Sequence, residues 1–135
     1  MQKIEHIGIA VKDIVESNKI FAKLLNTEHY KMEEVESEGV ITSFFKIGDV
    51  KIELLQATKE ESAIHKFVDK KGEGVHHIAF AVDNVNQELK RLTNEGFDAI
   101  HKQAKDGADG KVIAFLHPKS TNKVLTEICA DKDVE

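Results

Sequence analysis

Four residues of this 135-residue chain combine metal-binding chemistry with a repeated spacing: His6, Glu53, His77 and Glu127. His6 opens HIGIAVKDI at 6–14 and His77 opens HIAFAVDNV at 77–85, with His, Ile, Ala and Val in register at an offset of 71 residues (77 less 6). Glu53 in VKIELLQ and Glu127 in VLTEICA each interrupt an apolar run, where an unpaired carboxylate is costly. They follow their histidines by 47 and 50 residues, so the acids occupy matching places in the two copies. Taken singly, a strand histidine satisfied by the backbone, or a sheet-edge glutamate reaching water, is an ordinary structural feature. The symmetry favours a shared task. Two imidazoles and two carboxylates form an N2O2 donor set suited to a borderline or hard divalent cation, with positions left for water or substrate oxygens; zinc, cobalt, nickel and manganese all fit.

The elements that must position these groups follow from periodicity. Alternation along the first strand puts His6, Gly8 and Ala10 on one face and Ile7, Ile9 and Val11 on the other, and the second copy divides His77, Ala79 and Ala81 from Ile78, Phe80 and Val82 in the same way. The bulky sets should pack on helices, leaving each histidine on a face of small residues with room for a ligand. Asp13-x-x-Glu16 and Asn84-x-x-Gln87 read as N-terminal caps of those helices. The first carries Ile14, Ile20, Phe21, Leu24 and Leu25 as its apolar stripe; the second carries Val85, Leu89 and Leu92 and ends at Gly96. Strand-like runs follow: ITSFFKIG and VKIELLQ in the first copy, FDAIHK, KVIAFLH and VLTEICA in the second, with turns at Gly48-Asp49 and Asp109-Gly110. The acidic EEVESE at 33–38 reads as exposed, and Thr58-x-x-Glu61 as the cap of a connecting helix with Ile64, Phe67 and Val68. The expected fold is α+β: a first βαβββ module over 1–56, a helical connector over 57–74 and a second βαβββ module over 75–130. The two modules pair in a single domain as a cleft-shaped mixed sheet.

Composition narrows the classes. Hydrophobic residues at 41% and charged residues at 32% suit a folded domain. A net charge of −5, with no basic run longer than two residues, offers nucleic acid no footprint. No apolar run approaches the roughly 20 residues that span a bilayer, and MQKIEHIG lacks a signal-peptide core, so the expectation is no membrane partner and a cytoplasmic location. The lone Cys129 excludes an internal disulfide and a cysteine-based zinc cluster, and reads as a small buried hydrophobe rather than a nucleophile. His76 has the wrong parity to share a face with His77, while His29, His65 and His101 have no counterpart in the repeat. Gly-rich phosphate loops, G-x-S-x-G elbows and dinucleotide fingerprints are absent.

These stretches resemble the vicinal-oxygen-chelate (glyoxalase) superfamily and, within it, the methylmalonyl-CoA epimerases. The likeness runs nearly end to end: IEHIGIAVKDI, GDVKIELLQATKEESAIHKFV, GVHHIAFAVDNV, DGKVIAFLHPKS and VLTEI. The first and third are widespread in the superfamily, whereas HHIAFAVDN with FLHPKS is more particular to the epimerases. The resemblance implies His6, His77 and Glu127 as metal ligands and Glu53 at a fourth position that is Gln in some relatives. It also implies one divalent ion per chain, cobalt before zinc, nickel or manganese, a homodimer, a CoA thioester substrate and a place in propionate metabolism. The implied reaction interconverts (R)- and (S)-methylmalonyl-CoA by removing the proton at C2 through an enolate, with Glu127 as one base. Some relatives place a glutamate base shortly after a Gly-Val pair; here Gly39-Val40 leads to Ile41, Thr42 and Ser43, so the second base is unassigned. His117 and Lys119 of HPKS are candidate contacts to the acyl or CoA portion.

Two alternatives stand beside this reading. Glyoxalase I, a metal isomerase of the same superfamily, has a comparable ligand set and a proton-transfer reaction. A metal-free small-molecule-binding module would share the fold without needing four polar residues at symmetric buried positions. Ring-cleaving dioxygenases, with two His and one carboxylate for iron, fit a second glutamate poorly.

Overall fold

A computed structural model describes residues 1–132, and they divide into two compact units, 6–76 and 1–5 with 77–132. In the unit of 6–76, β1 (Lys3–Ala10) leads to α1 (Ile14–Leu25), β2 (Lys31–Val35), β3 (Val40–Ile47), β4 (Val50–Ala57) and α2 (Ala63–Lys71). The strands run in the order β2-β3-β4-β1. β4 lies parallel to β1 with Gly8 beside Glu53; β3 pairs antiparallel with β4, Phe44 opposite Glu53, and β2 with β3, Glu33 opposite Thr42.

This register sorts the side chains by face. Ile9, Ile41, Phe45, Ile52 and Leu54 pack with Ile14, Phe21 and Leu25 of α1. On the other face, Ala10, Val35, Val40, Leu55 and Ala57 pack with Ile64, Phe67 and Val68 of α2. The helix covers only that end of the face, so the end carrying His6, Phe44 and Glu53 is left to other work. Asp13 caps α1, accepting from the N–H groups of Val15 and Glu16 at 3.1 and 3.2 Å.

Three sequence expectations change here. Ile20 and Leu24 are 62% and 70% exposed, because the inward line of α1 runs through Ile14, Ser17, Phe21 and Leu25 and turns those two outward. The cap of α2 is Ser62, whose Oγ accepts from Ile64 N–H at 3.1 Å, not Thr58. EEVESE is not one exposed segment: Glu33 to Val35 finish β2, with Glu33 half-buried, and a 3-10 turn takes Glu36–Glu38.

In the second unit, residues 1–5 join the C-terminal half, with Gln2 N–H donating to the Ala81 carbonyl at 2.8 Å. Its elements are β5 (Gly74–Ala81), which enters from the other unit, α3 (Val85–Asn94), β6 (Lys105–Asp106), β7 (Lys111–Leu116) and β8 (Thr126–Asp131), with strand order β5-β8-β7-β6. β5 and β8 are parallel with Ala79 beside Glu127, and β7 pairs antiparallel with β8, Phe115 opposite Glu127. Val85, Leu89 and Leu92 of α3 pack on Ala114, Leu116, Ile128 and Ala130. Asn84 caps α3, its Oδ1 accepting from Gln87 N–H at 2.9 Å. Asp109 and Gly110 both adopt positive φ, 58° and 69°, in the tight turn before β7.

The expected strand at 97–102 is reduced to a single bridge between Ala99 and Leu116. There Phe115 N–H, which a neighbouring strand would otherwise receive, donates instead to His101 Nδ1 at 3.1 Å, across 14 residues of sequence. Among the described residues no helix is long and apolar enough to cross a membrane.

Candidate metal centre

Each unit builds the same pair by the same device. In the first, β1 and β4 are parallel and Gly8, two residues after His6, lies beside Glu53, so imidazole and carboxylate share one face. His6 Nε2 stands 3.2 Å from Glu53 Oε1, and both side chains are buried. In the second, Ala79, two residues after His77, lies beside Glu127, and His77 Nε2 stands 3.2 Å from Glu127 Oε1, again with both buried. A small residue, Gly8 or Ala79, stands at the intervening position in each.

The separation suits shared metal ligation. Two donors each about 2.1 Å from one ion are roughly 3.0 Å apart at a right angle and about 3.4 Å apart at a tetrahedral angle. The 3.2 Å found in both pairs falls within that interval. His6, His77 and Glu127 are buried, each offers one ligand atom, and they are among the residues that could hold an ion. Glu53 matches Glu127 in burial and in its distance to histidine. Burying a carboxylate against an imidazole is expensive unless the pair is held in good geometry or completed by a cation.

Two supporting aromatics were not singled out in the sequence. Phe44 lies opposite Glu53 and Phe115 opposite Glu127, and their numbers differ by the same 71-residue offset as the histidines. The ring of Phe115 meets the His77 imidazole edge to face at 5.4 Å and 85°, while its other neighbour, His101, lies at 5.8 Å. Extending the repeat comparison beyond the polar residues would have found them.

The other candidates lie in other settings. His117 Nδ1 accepts from Lys119 N–H at 3.1 Å, which caps the 3-10 turn Pro118–Ser120. Lys119 Nζ reaches Asp98 Oδ2 at 3.0 Å, and this ammonium holds the Asp98 carboxyl below its usual range. Ser120 Oγ accepts from Asp98 N–H at 3.2 Å, fastening the turn to residue 98. His76 packs edge-on against Phe67 at 5.0 Å, and His65 is exposed on α2. His29 lies against Phe45 at 6.0 Å. Cys129 is fully buried, its thiol donating to the Phe80 carbonyl at 3.6 Å, which is the setting of an inert core thiol.

The model of the Glyoxalase/Bleomycin resistance protein/Dioxygenase superfamily matches residues 5–115. An uncharacterized Bacillus subtilis protein, YqjC, is 38% identical over 98% of this chain and 94% of its own length. The mitochondrial methylmalonyl-CoA epimerase of Dictyostelium discoideum is 35% identical over 93% of this chain and 76% of that protein. A solved Streptomyces coelicolor methylmalonyl-CoA epimerase variant in complex with 2-nitronate-propionyl-CoA superposes with a TM-score of 0.94 at 34% identity, covering 100% of this chain and 98% of the other. With its duplicated βαβββ units and their matched His–Glu pairs, the chain belongs to the Glyoxalase/Bleomycin resistance protein/Dioxygenase superfamily and, within it, to the methylmalonyl-CoA epimerase family.

Proposed function

We propose that this protein interconverts (R)- and (S)-methylmalonyl-CoA, and that His6, Glu53, His77 and Glu127 together hold one divalent cation for that reaction. The observation that carries the reading is the duplicated buried pair, with Nε2 and Oε1 3.2 Å apart in both copies. A bound divalent ion supplies positive charge that lowers the cost of negative charge developing on the thioester and carboxylate oxygens when C2 loses its proton. The chain supplies the rest. His6 and His77 present nitrogen donors from parallel strands whose small neighbours leave room for an acyl group, and Phe115 fixes the plane of the His77 ring. Glu127, beyond its part as ligand, moves a proton at one face of C2, a task that typically contributes about 10² to 10⁴ in rate.

His117 and Lys119 are assigned to the CoA end of the substrate. The resemblance further assigns cobalt as the preferred ion, a homodimer, a cytoplasmic location and a place in propionate metabolism. Turnover of purified (R)-methylmalonyl-CoA compared with the glutathione hemithioacetal, each with cobalt, tests the reading against its rival. The expected result is inversion of the CoA ester and no isomerisation of the hemithioacetal; the reverse preference would make the protein a glyoxalase.

A further inference from the structure

One imidazole outside the candidate metal centre is committed to a residue that touches it. His101 Nδ1 accepts from Phe115 N–H at 3.1 Å, and the His101 ring lies 5.8 Å from the Phe115 ring at 56°. The Phe115 ring in turn meets the His77 imidazole edge to face, 5.4 Å away at 85°. His101, Phe115, His77 and Glu127 all belong to the unit of 1–5 with 77–132, so this chain of contacts lies within one unit.

The edge of the sheet gives His101 its task. β6 pairs with β7 only at Val112 and Ile113 and stops short of Phe115. Ile100 N–H donates to the Phe115 carbonyl at 2.8 Å, so both backbone groups of Phe115 are engaged by residues 100 and 101, on the edge away from β8. Phe115 and Glu127 therefore face each other as a non-hydrogen-bonded pair, the arrangement that brings opposite side chains closest. The bond to His101 fixes β7 at the one residue whose ring stands beside both Glu127 and His77.

The unit of 6–76 carries a similar layer. The 71-residue offset that relates His6 to His77 and Phe44 to Phe115 also relates Tyr30 to His101, so the counterpart of this imidazole is another aromatic ring. Tyr30 N–H donates to the Phe44 carbonyl at 2.9 Å, and its ring lies 6.0 Å from the Phe44 ring. Phe44 stands opposite Glu53 as Phe115 stands opposite Glu127. Its edge is closed by a full strand, with Lys31 of β2 opposite Phe44; at Phe115 a side-chain nitrogen does that work.

We propose that His101 is a positioning residue for the metal centre. Through the N–H and the ring of Phe115 it holds the His77 imidazole in the orientation that sets Nε2 3.2 Å from Glu127 Oε1. The inference rests on the reading of His77 and Glu127 as ligands of a divalent ion.

The test titrates chelator-stripped wild type, His101→Ala, His101→Asn, Phe115→Leu and the double variant His101→Ala with Phe115→Leu with cobalt. It follows the visible absorption of the bound ion, with urea unfolding of each stripped protein alongside. Asparagine places Oδ1 where histidine places Nδ1, so His101→Asn restores the acceptor without the ring. His101→Ala should weaken cobalt binding by about 3- to 10-fold and shift the absorption of the bound ion, and His101→Asn should recover part of the affinity. Phe115→Leu should weaken binding at least as much, and the double variant should bind no more weakly than Phe115→Leu, because His101 acts through that ring. Affinity and absorption unchanged in both His101 variants, whatever their loss of urea stability, would overturn the proposal and leave His101 a merely structural residue. Fully additive losses in the double variant would also overturn it. Wild type that binds no cobalt would contradict the metal reading, and His101 with it, a result distinct from failure of His101 alone.

Discussion

Each His–Glu pair depends on a short rule of register: a histidine, a small residue two places on, and a glutamate beside that small residue on a parallel strand. Register treats the two acids alike, and the proposed proton-transfer role of Glu127 is what separates them. Glu127→Gln keeps the shape and a weaker oxygen donor but removes the proton-transfer group, so kcat should fall by about 10² to 10⁴. Glu53→Gln retains an oxygen donor in a role that needs no proton transfer, and should weaken cobalt binding with a much smaller loss of kcat at saturating metal. Steady-state kinetics beside a cobalt titration separates the two; equal losses of kcat would contradict the division of roles. His77→Ala should cost metal affinity directly, since it removes a donor nitrogen that Phe115 holds in place.

At the scale of elements, α1 is the support behind Glu53, because its residues Ile14, Phe21 and Leu25 pack on the reverse face of β4. Asp13→Ala removes both side-chain bonds at its N-terminus and should lower stability by about 0.5 to 2 kcal/mol in urea unfolding. The turn after β7 offers a pH test. The Asp98 carboxyl lies below its usual value of 3.8 because Lys119 hydrogen-bonds it. Its contribution is therefore present above pH 3.8 and lost as the pH falls through the lowered native value. Asp98→Asn should flatten that acid limb of the stability curve, and added salt should do the same because the pair is exposed.

How much could be read in the sequence follows the same division. The caps at Asp13 and Asn84, the Gly48-Asp49 and Asp109-Gly110 turns, and the two strands carrying histidine were legible because each rests on a local signal. The strand expected at 97–102 failed because a side chain, His101, takes the Phe115 N–H, a long-range bond that no local pattern reports. Ile20 and Leu24 misled for a related reason: helical spacing identifies an apolar stripe but not which edge of it the sheet covers. For the proposed metal ligands, the 71-residue repeat of the two histidines and the matching glutamate in each copy carried the signal, while Phe44 and Phe115 escaped because aromatics in strands look like ordinary core.

For the molecule as a whole, duplication is the organising fact. The two units carry equivalent pairs, so the number of ions bound per chain is itself a test of the proposed function. The proposed function takes one ion per chain. Equilibrium dialysis of chelator-stripped protein against cobalt should therefore saturate at a single equivalent, and replacing His6 or His77 should abolish that one site; two equivalents, each lost with its own histidine, would assign a separate ion to each unit.

The measurement that bears most directly on the central claim is deuterium incorporation at C2 of methylmalonyl-CoA in D2O by chelator-stripped protein, with and without added cobalt. The account predicts negligible exchange in the stripped protein and rapid exchange with loss of stereochemistry once cobalt is restored. Folded, cobalt-loaded protein that leaves C2 unlabelled and its configuration intact would contradict it.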